Sequence, residues 1–139
     1  MKNLVVTSIL ILCAIFAKAQ ETKSYTLAVS IDNISNNNGK VLLSLHTADT
    51  FMKGPGIQNI ASEIVDGKIN VNFENIVPGN YAIMAVHDEN DNKRMDFETN
   101  GMPKENYGMS GNDMSYGPPR FDDAKFSLTN EDLAFTIRF

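Results

Sequence analysis

Pro78-Gly79-Asn80-Tyr81-Ala82-Ile83-Met84-Ala85-Val86-His87-Asp88 is the stretch whose composition settles the architecture. Pro-Gly marks a turn, and the residues from Tyr81 to Val86 are apolar at odd and even positions alike. So short a run, apolar on both faces, reads as a strand covered on both sides near the middle of a sheet. It leads into Glu89-Asn90-Asp91-Asn92-Lys93-Arg94-Met95-Asp96, a run of charged and amide side chains.

The flanking segments alternate. Tyr25, Leu27, Val29 and Ile31 share one face of Tyr25 to Asp32, and Val41, Leu43 and Leu45 share one face of Lys40 to Thr47. This is the period of a half-buried strand. Asn36-Asn37-Asn38-Gly39 between them predicts a first hairpin, with His46 outward at the surface. Thr50 to Asn59 is a loop punctuated by Gly54-Pro55-Gly56. Ser62 to Val65 and Lys68 to Phe73 flank Asp66-Gly67, a two-residue hairpin signal. Phe126 to Leu128 and Leu133 to Phe139 close the chain. About seven strands, no convincing helix and frequent turns predict an all-β chain: a single antiparallel β-sandwich with one long ordered loop. An outer-membrane barrel is disfavoured, because such strands need roughly 9–11 residues and outward apolar faces.

Residues 1–19 read as a signal peptide that is removed: Lys2, an apolar run from Leu4 to Phe16, then Ala17-Lys18-Ala19 as the cleavage site. The run is too short for a membrane span of about 20 residues. Leu12 before Cys13 does not suit a lipid anchor, and Cys13, the single cysteine, leaves with the signal. A single domain, residues 20–139, remains, without a disulfide, in the periplasm or outside the cell. Loss of Lys2 and Lys18 moves the net charge from -5 to -7. That balance disfavours nucleic acid and anionic lipid as partners. Membrane insertion is not expected, and the domain reads as a monomer.

Asp88, Asn90, Asn92 and Asp96 fall at positions one, three, five and nine of a calcium loop, with the Arg94 carbonyl at position seven. Oxygen donors alone suit calcium better than zinc, which prefers His or Cys. Two positions depart from the pattern. Lys93 sits where Gly permits the sharp turn, and Thr99 where a bidentate Glu is usual. Glu98, Asn100 or Glu105 is left to reach back, and His87 stands beside the loop as a further ligand or an orienting group. Such a site belongs with the weak extracellular class, Kd on the order of 10⁻⁴ to 10⁻³ M. The competing reading is an Asx-rich turn without an ion.

From Asn100 to Pro119 the chain has no periodic pattern but carries Met102, Tyr107, Met109, Met114 and Tyr116. Long loops of this kind are usually functional or mobile. Either these side chains pack as a cover on the sandwich, or Tyr107 and Tyr116 form a platform for a sugar or peptide.

The motifs Pro78-Gly79-x-Tyr81-Ala82, His87-Asp88-Glu89-Asn90, Asp96, Gly101-x-Pro103-Lys104-Glu105-x-Tyr107-Gly108-x-Ser110 and Gly117-Pro118-Pro119-x-Phe121-x-x-Ala124-x-Phe126 resemble the bacterial secreted family called domain of unknown function 2141. The resemblance implies an exported β-sandwich related in shape to transthyretin-like or carboxypeptidase-regulatory-like domains, and no established activity. The function expected is that of an exported, non-catalytic domain. Its calcium-type loop, 88–96, would stabilise the long loop for binding or packing, with calcium as the cofactor. The alternative is an accessory module without a metal that contacts a protein or glycan of the cell envelope. A hydrolase using His87 and nearby carboxylates is weaker, since no nucleophile motif or zinc-ligand spacing occurs.

Overall fold

The computed structural model describes residues 22–113 and 117–139. The signal segment expected at residues 1–19, and Tyr116 and Met114, lie outside the described residues. Among the described residues eight strands form: β1 Tyr25–Ile31, β2 Lys40–His46, β3 Gln58–Ser62, β4 Ile69–Ile76, β5 Gly79–Asp88, β6 Tyr107–Met109, β7 Phe126–Leu128 and β8 Leu133–Thr136. One helical turn, α1 Phe121–Ala124, precedes β7. The strands make two sheets, not closed into a barrel, in the orders β4-β1-β8 and β3-β2-β5-β6, with β7 also pairing β5. All pairs are antiparallel except β1 with β8, where Leu27 lies opposite Leu133 in a parallel register.

The sandwich forms because each strand offers one apolar face. Leu27, Ile31, Leu43, Leu45, Phe73, Ile83 and Ile137 are wholly buried between the sheets. Truncating one large member, Phe73→Ala, costs about 3–5 kcal/mol through lost transfer energy and the cavity left behind. In β4 the inward residues run Ile69, Phe73 and then Ile76, three positions on, because the β1–β4 register shifts between Tyr25 and Leu27. Asn75, at φ 59°, takes up the extra residue of this bulge. At the sandwich sides, the Gln58 amide donates to the Glu74 carbonyl at 3.0 Å, and the Phe126 and Phe135 rings meet at 4.4 Å.

Neither expected hairpin forms a paired ladder of its two strands. β1 and β2 belong to different sheets. The segment between them buries Ile34 and ties itself to the next turn, Ile34 N–H to Gly67 O and Gly67 N–H to Asn37 Oδ1. Buried apolar surface inside that connection thus carries it from one sheet to the other. Asp66-Gly67 does make the expected turn, with φ of 53° and 70°. Only the Val65–Lys68 bridge closes it; Ile64 then enters the core, and the strand lies at Gln58–Ser62 instead of Ser62–Val65. His46, expected at the surface, is buried, with Nδ1 3.1 Å from Thr50 Oγ1 and its ring edge-on to Phe51 at 5.7 Å. The outward side of β2 is covered there by the loop that follows.

β5 is the central strand. It pairs with β2 from Ala82 to Asp88 on one side, and with β6 and β7 on the other. Ile83, Ala85 and His87 face the core, while Ala82 faces a second cluster made with Phe51, Met109 and Ala124. Ser110 locks this cover to the sheet: its hydroxyl donates to Ala124 O and accepts the Ile83 N–H. β6 lies inside the stretch whose sequence shows no strand period, since three residues are too few to show one.

Candidate functional site

Asp88, the last residue of β5, is fully buried, and both its oxygens hold backbone: Oδ1 accepts the Asn92 N–H at 3.1 Å and Oδ2 the Lys93 N–H at 2.7 Å. Asn90 Oδ1 then accepts the Asn92 N–H and Asn92 Oδ1 the Arg94 N–H, each at 3.2 Å, two successive Asx turns. To make this curve Asp91 takes φ 54° and Lys93 φ 65°. The second value is the left-handed conformation a calcium loop gives to Gly, adopted here by a residue with a Cβ.

The alternate side chains converge on Asp96. Its Oδ2 accepts both the Asn90 and the Asn92 amide, at 2.7 and 2.8 Å, and Arg94 Nε stands 3.6 Å from Oδ1. The Asn90 amide, then the Asn92 amide and the charges of Arg94 and Lys104, hold the Asp96 carboxyl below the usual carboxylate range. The chain next turns back on itself: Phe97 bridges Pro103, Glu98 N–H donates to Met102 O, and Gly101 turns the tip at φ 83°. Glu105 closes the loop. Its Oε2 accepts the Asp96 N–H at 3.0 Å, while its Oε1 is buried without a hydrogen-bond partner.

Of the residues singled out in the sequence, Asp88, Asn90, Asn92, Asp96 and Glu105 are thus joined in one hydrogen-bonded loop. Asp88 shapes it from beneath, and Arg94 lies on its exposed side. Glu98 is at the exposed hairpin tip, and the Asn100 side chain bonds Met102 N–H instead of reaching back. His87 points the other way, into the core: Nε2 is 2.8 Å from Asn38 O and the ring stacks on Phe139 at 6.3 Å. Among the described residues no three His, Cys, Asp or Glu side chains come together as a metal-holding group. Any cation here must take part of its shell from amide and carbonyl oxygens and water.

The hairpin also walls a cleft of about 140 Å³. Its floor is the outward face of the sheet, Met84 and Val86 of β5 with Tyr107 of β6. Met95, Phe97 and Pro103 line one side; Met52 and Pro119, from the cover over Ala82, line the other. Phe97 and Met52 are each 57% exposed, large apolar side chains held in water at the mouth. The sequence pointed to Tyr107 alone. Met84 and Val86 were legible as apolar, but nothing local tells that the second cover stops before Val86.

A family model described as an uncharacterized protein conserved in bacteria (DUF2141) matches residues 29–136. The chain belongs to this family. No curated protein and no solved structure matches it. The DUF2141 match runs from within β1 to the end of β8, so the Asp88–Glu105 loop and the cleft both lie inside the domain that defines the family.

Proposed function

We propose that this DUF2141 domain is an exported, non-catalytic binding module that holds one apolar side chain of an extended segment of a cell-envelope partner protein in the cleft above β5 and β6. The observation that supports this is the lining, almost wholly Met, Val, Phe, Pro and Tyr, on the floor of a rigid sheet. A sugar would need polar groups beside an aromatic face, whereas an apolar anchor in a small pocket is the usual core of a protein contact. Large apolar side chains gathered at an open mouth mark such surfaces. Non-catalysis fits the histidines, because His46 and His87 are both buried, with His46 Nδ1 near Thr50 Oγ1 and His87 Nε2 near Asn38 O.

The test is an NMR titration of the labelled chain with N-acetyl-phenylalaninamide and, separately, N-acetylglucosamine. The aromatic probe should shift the amides of Val86, Phe97 and Tyr107, and Phe97→Ser should weaken it several-fold. Shifts from the sugar alone, or shifts spread without focus on the cleft, would refute the reading.

A further inference from the structure

We infer that the loop from Asp88 to Glu105 is a site for a hard divalent cation of the calcium class, held chiefly by the carboxylates of Asp96 and Glu105 with oxygens of Asn90 and Asn92. The acidic cluster alone would not establish this. The independent observation is Glu105, 8% exposed, with one carboxylate oxygen bonded to the Asp96 N–H and the other buried without a partner. A buried carboxylate oxygen left unmatched costs desolvation energy that nothing in the protein returns. A cation between it and Asp96 supplies the missing partner.

The surroundings fit the same occupant. Two amide side chains now stand on Asp96 Oδ2 at 2.7 and 2.8 Å, occupying the place where positive charge is needed. Amide oxygen and nitrogen exchange by a half-turn, so each can present its oxygen when a cation arrives. That turn gives up the two Asx bonds at 3.2 Å, a cost the ion must offset. Asp88 is spent on backbone N–H groups and stays a shaping residue. Two carboxylates with neutral oxygens make a weak, oxygen-only site: calcium tolerates that irregular shell, magnesium wants a stricter octahedron, and zinc lacks nitrogen or sulfur ligands.

The site also bears on the cleft. Met95 and Phe97 flank Asp96 in the chain and line the cleft wall, so the cation fixes the wall's position. The cation inference does not need the cleft to bind anything; the effect on the wall rests on the binding reading above.

Isothermal titration with calcium, then magnesium, is the test, on the wild type, Glu105→Gln and Glu98→Gln. Calcium should bind once with Kd on the order of 10⁻⁴ to 10⁻³ M, magnesium more weakly. Glu98→Gln should leave this unchanged, and Glu105→Gln should weaken it about tenfold or more. If Glu105→Gln fails to fold, Asn90→Ala takes its place with the same expectation. No calcium binding at 10 mM, where such a site would be about 90% filled or more, or equal affinity in the loop variants, would overturn the inference. Neither result touches the N-acetyl-phenylalaninamide titration, so the two readings fail separately.

Discussion

Lys93 carries the clearest single-residue consequence. Its φ of 65° is a conformation that costs a residue with a Cβ on the order of 1–2 kcal/mol and Gly almost nothing. Lys93→Gly should therefore raise stability by about 1 kcal/mol in urea unfolding. A loss would show that the lysine side chain has a role in the fold. Two pH effects belong here too. Burial, opposed by the Thr50 bond, lowers the His46 pKa, so the folded state resists protonation that the unfolded chain accepts. Stability should thus be full above about pH 6.5 and fall as pH drops below it. His46→Gln should flatten that limb of a stability–pH curve. Asp96 acts lower down. Its folded pKa is depressed, so its contribution is present above about pH 4 and lost as pH falls through the folded value. The alternation of Asp88, Asn90, Asn92 and Asp96 was legible in the sequence because turn chemistry is local. The choice of Glu105 over Glu98 or Asn100 was not, since it depends on a hairpin that places Glu98 at an exposed tip.

Among the elements, β5 was the most legible, because a strand apolar on both faces needs no partner to be recognised; its second face, expected to be covered, is covered over Ala82 but opens on the cleft at Val86. Its partners were less so. The alternating patterns of β1 and β2 state that each has one buried face, but not that the faces belong to opposite sheets; the buried Ile34 in the connection decides that. In the same way β6 is recruited by β5, and too short to announce itself. Ser110 ties these pieces together through one buried hydroxyl that both donates and accepts. Ser110→Ala leaves the Ile83 N–H and the Ala124 carbonyl without that partner, and should cost about 1–3 kcal/mol. A loss below a few tenths, measured by thermal or urea unfolding, would mean that α1 is not fastened to β5 in this way.

At the scale of the whole molecule, the sandwich is a platform with one unfinished face. One end of β5 is sealed by Phe51, Met109 and Phe121; the other is left open beneath a polar loop that has its own unmatched oxygen. The inter-sheet core is built from residues other than those that line the loop and cleft, with Asp88, buried at the end of β5, joining the two. Export belongs to this scale as well. Expressed in a bacterial host, the protein recovered outside the cytoplasm should begin at Gln20, which mass spectrometry of the intact chain would read directly. Retention of residues 1–19 would contradict the proposed export.

Amide hydrogen exchange in chelator and then in calcium at about ten times Kd reads whether a cation fixes the loop that walls the cleft. The Asp96, Glu98 and Lys104 N–H groups close the loop and its hairpin. Their exchange should slow about tenfold in calcium, the stabilisation expected of a ligand at that excess. Unchanged exchange at all three, with the protein folded, would mean that no cation holds the loop and that its Asx turns alone shape it.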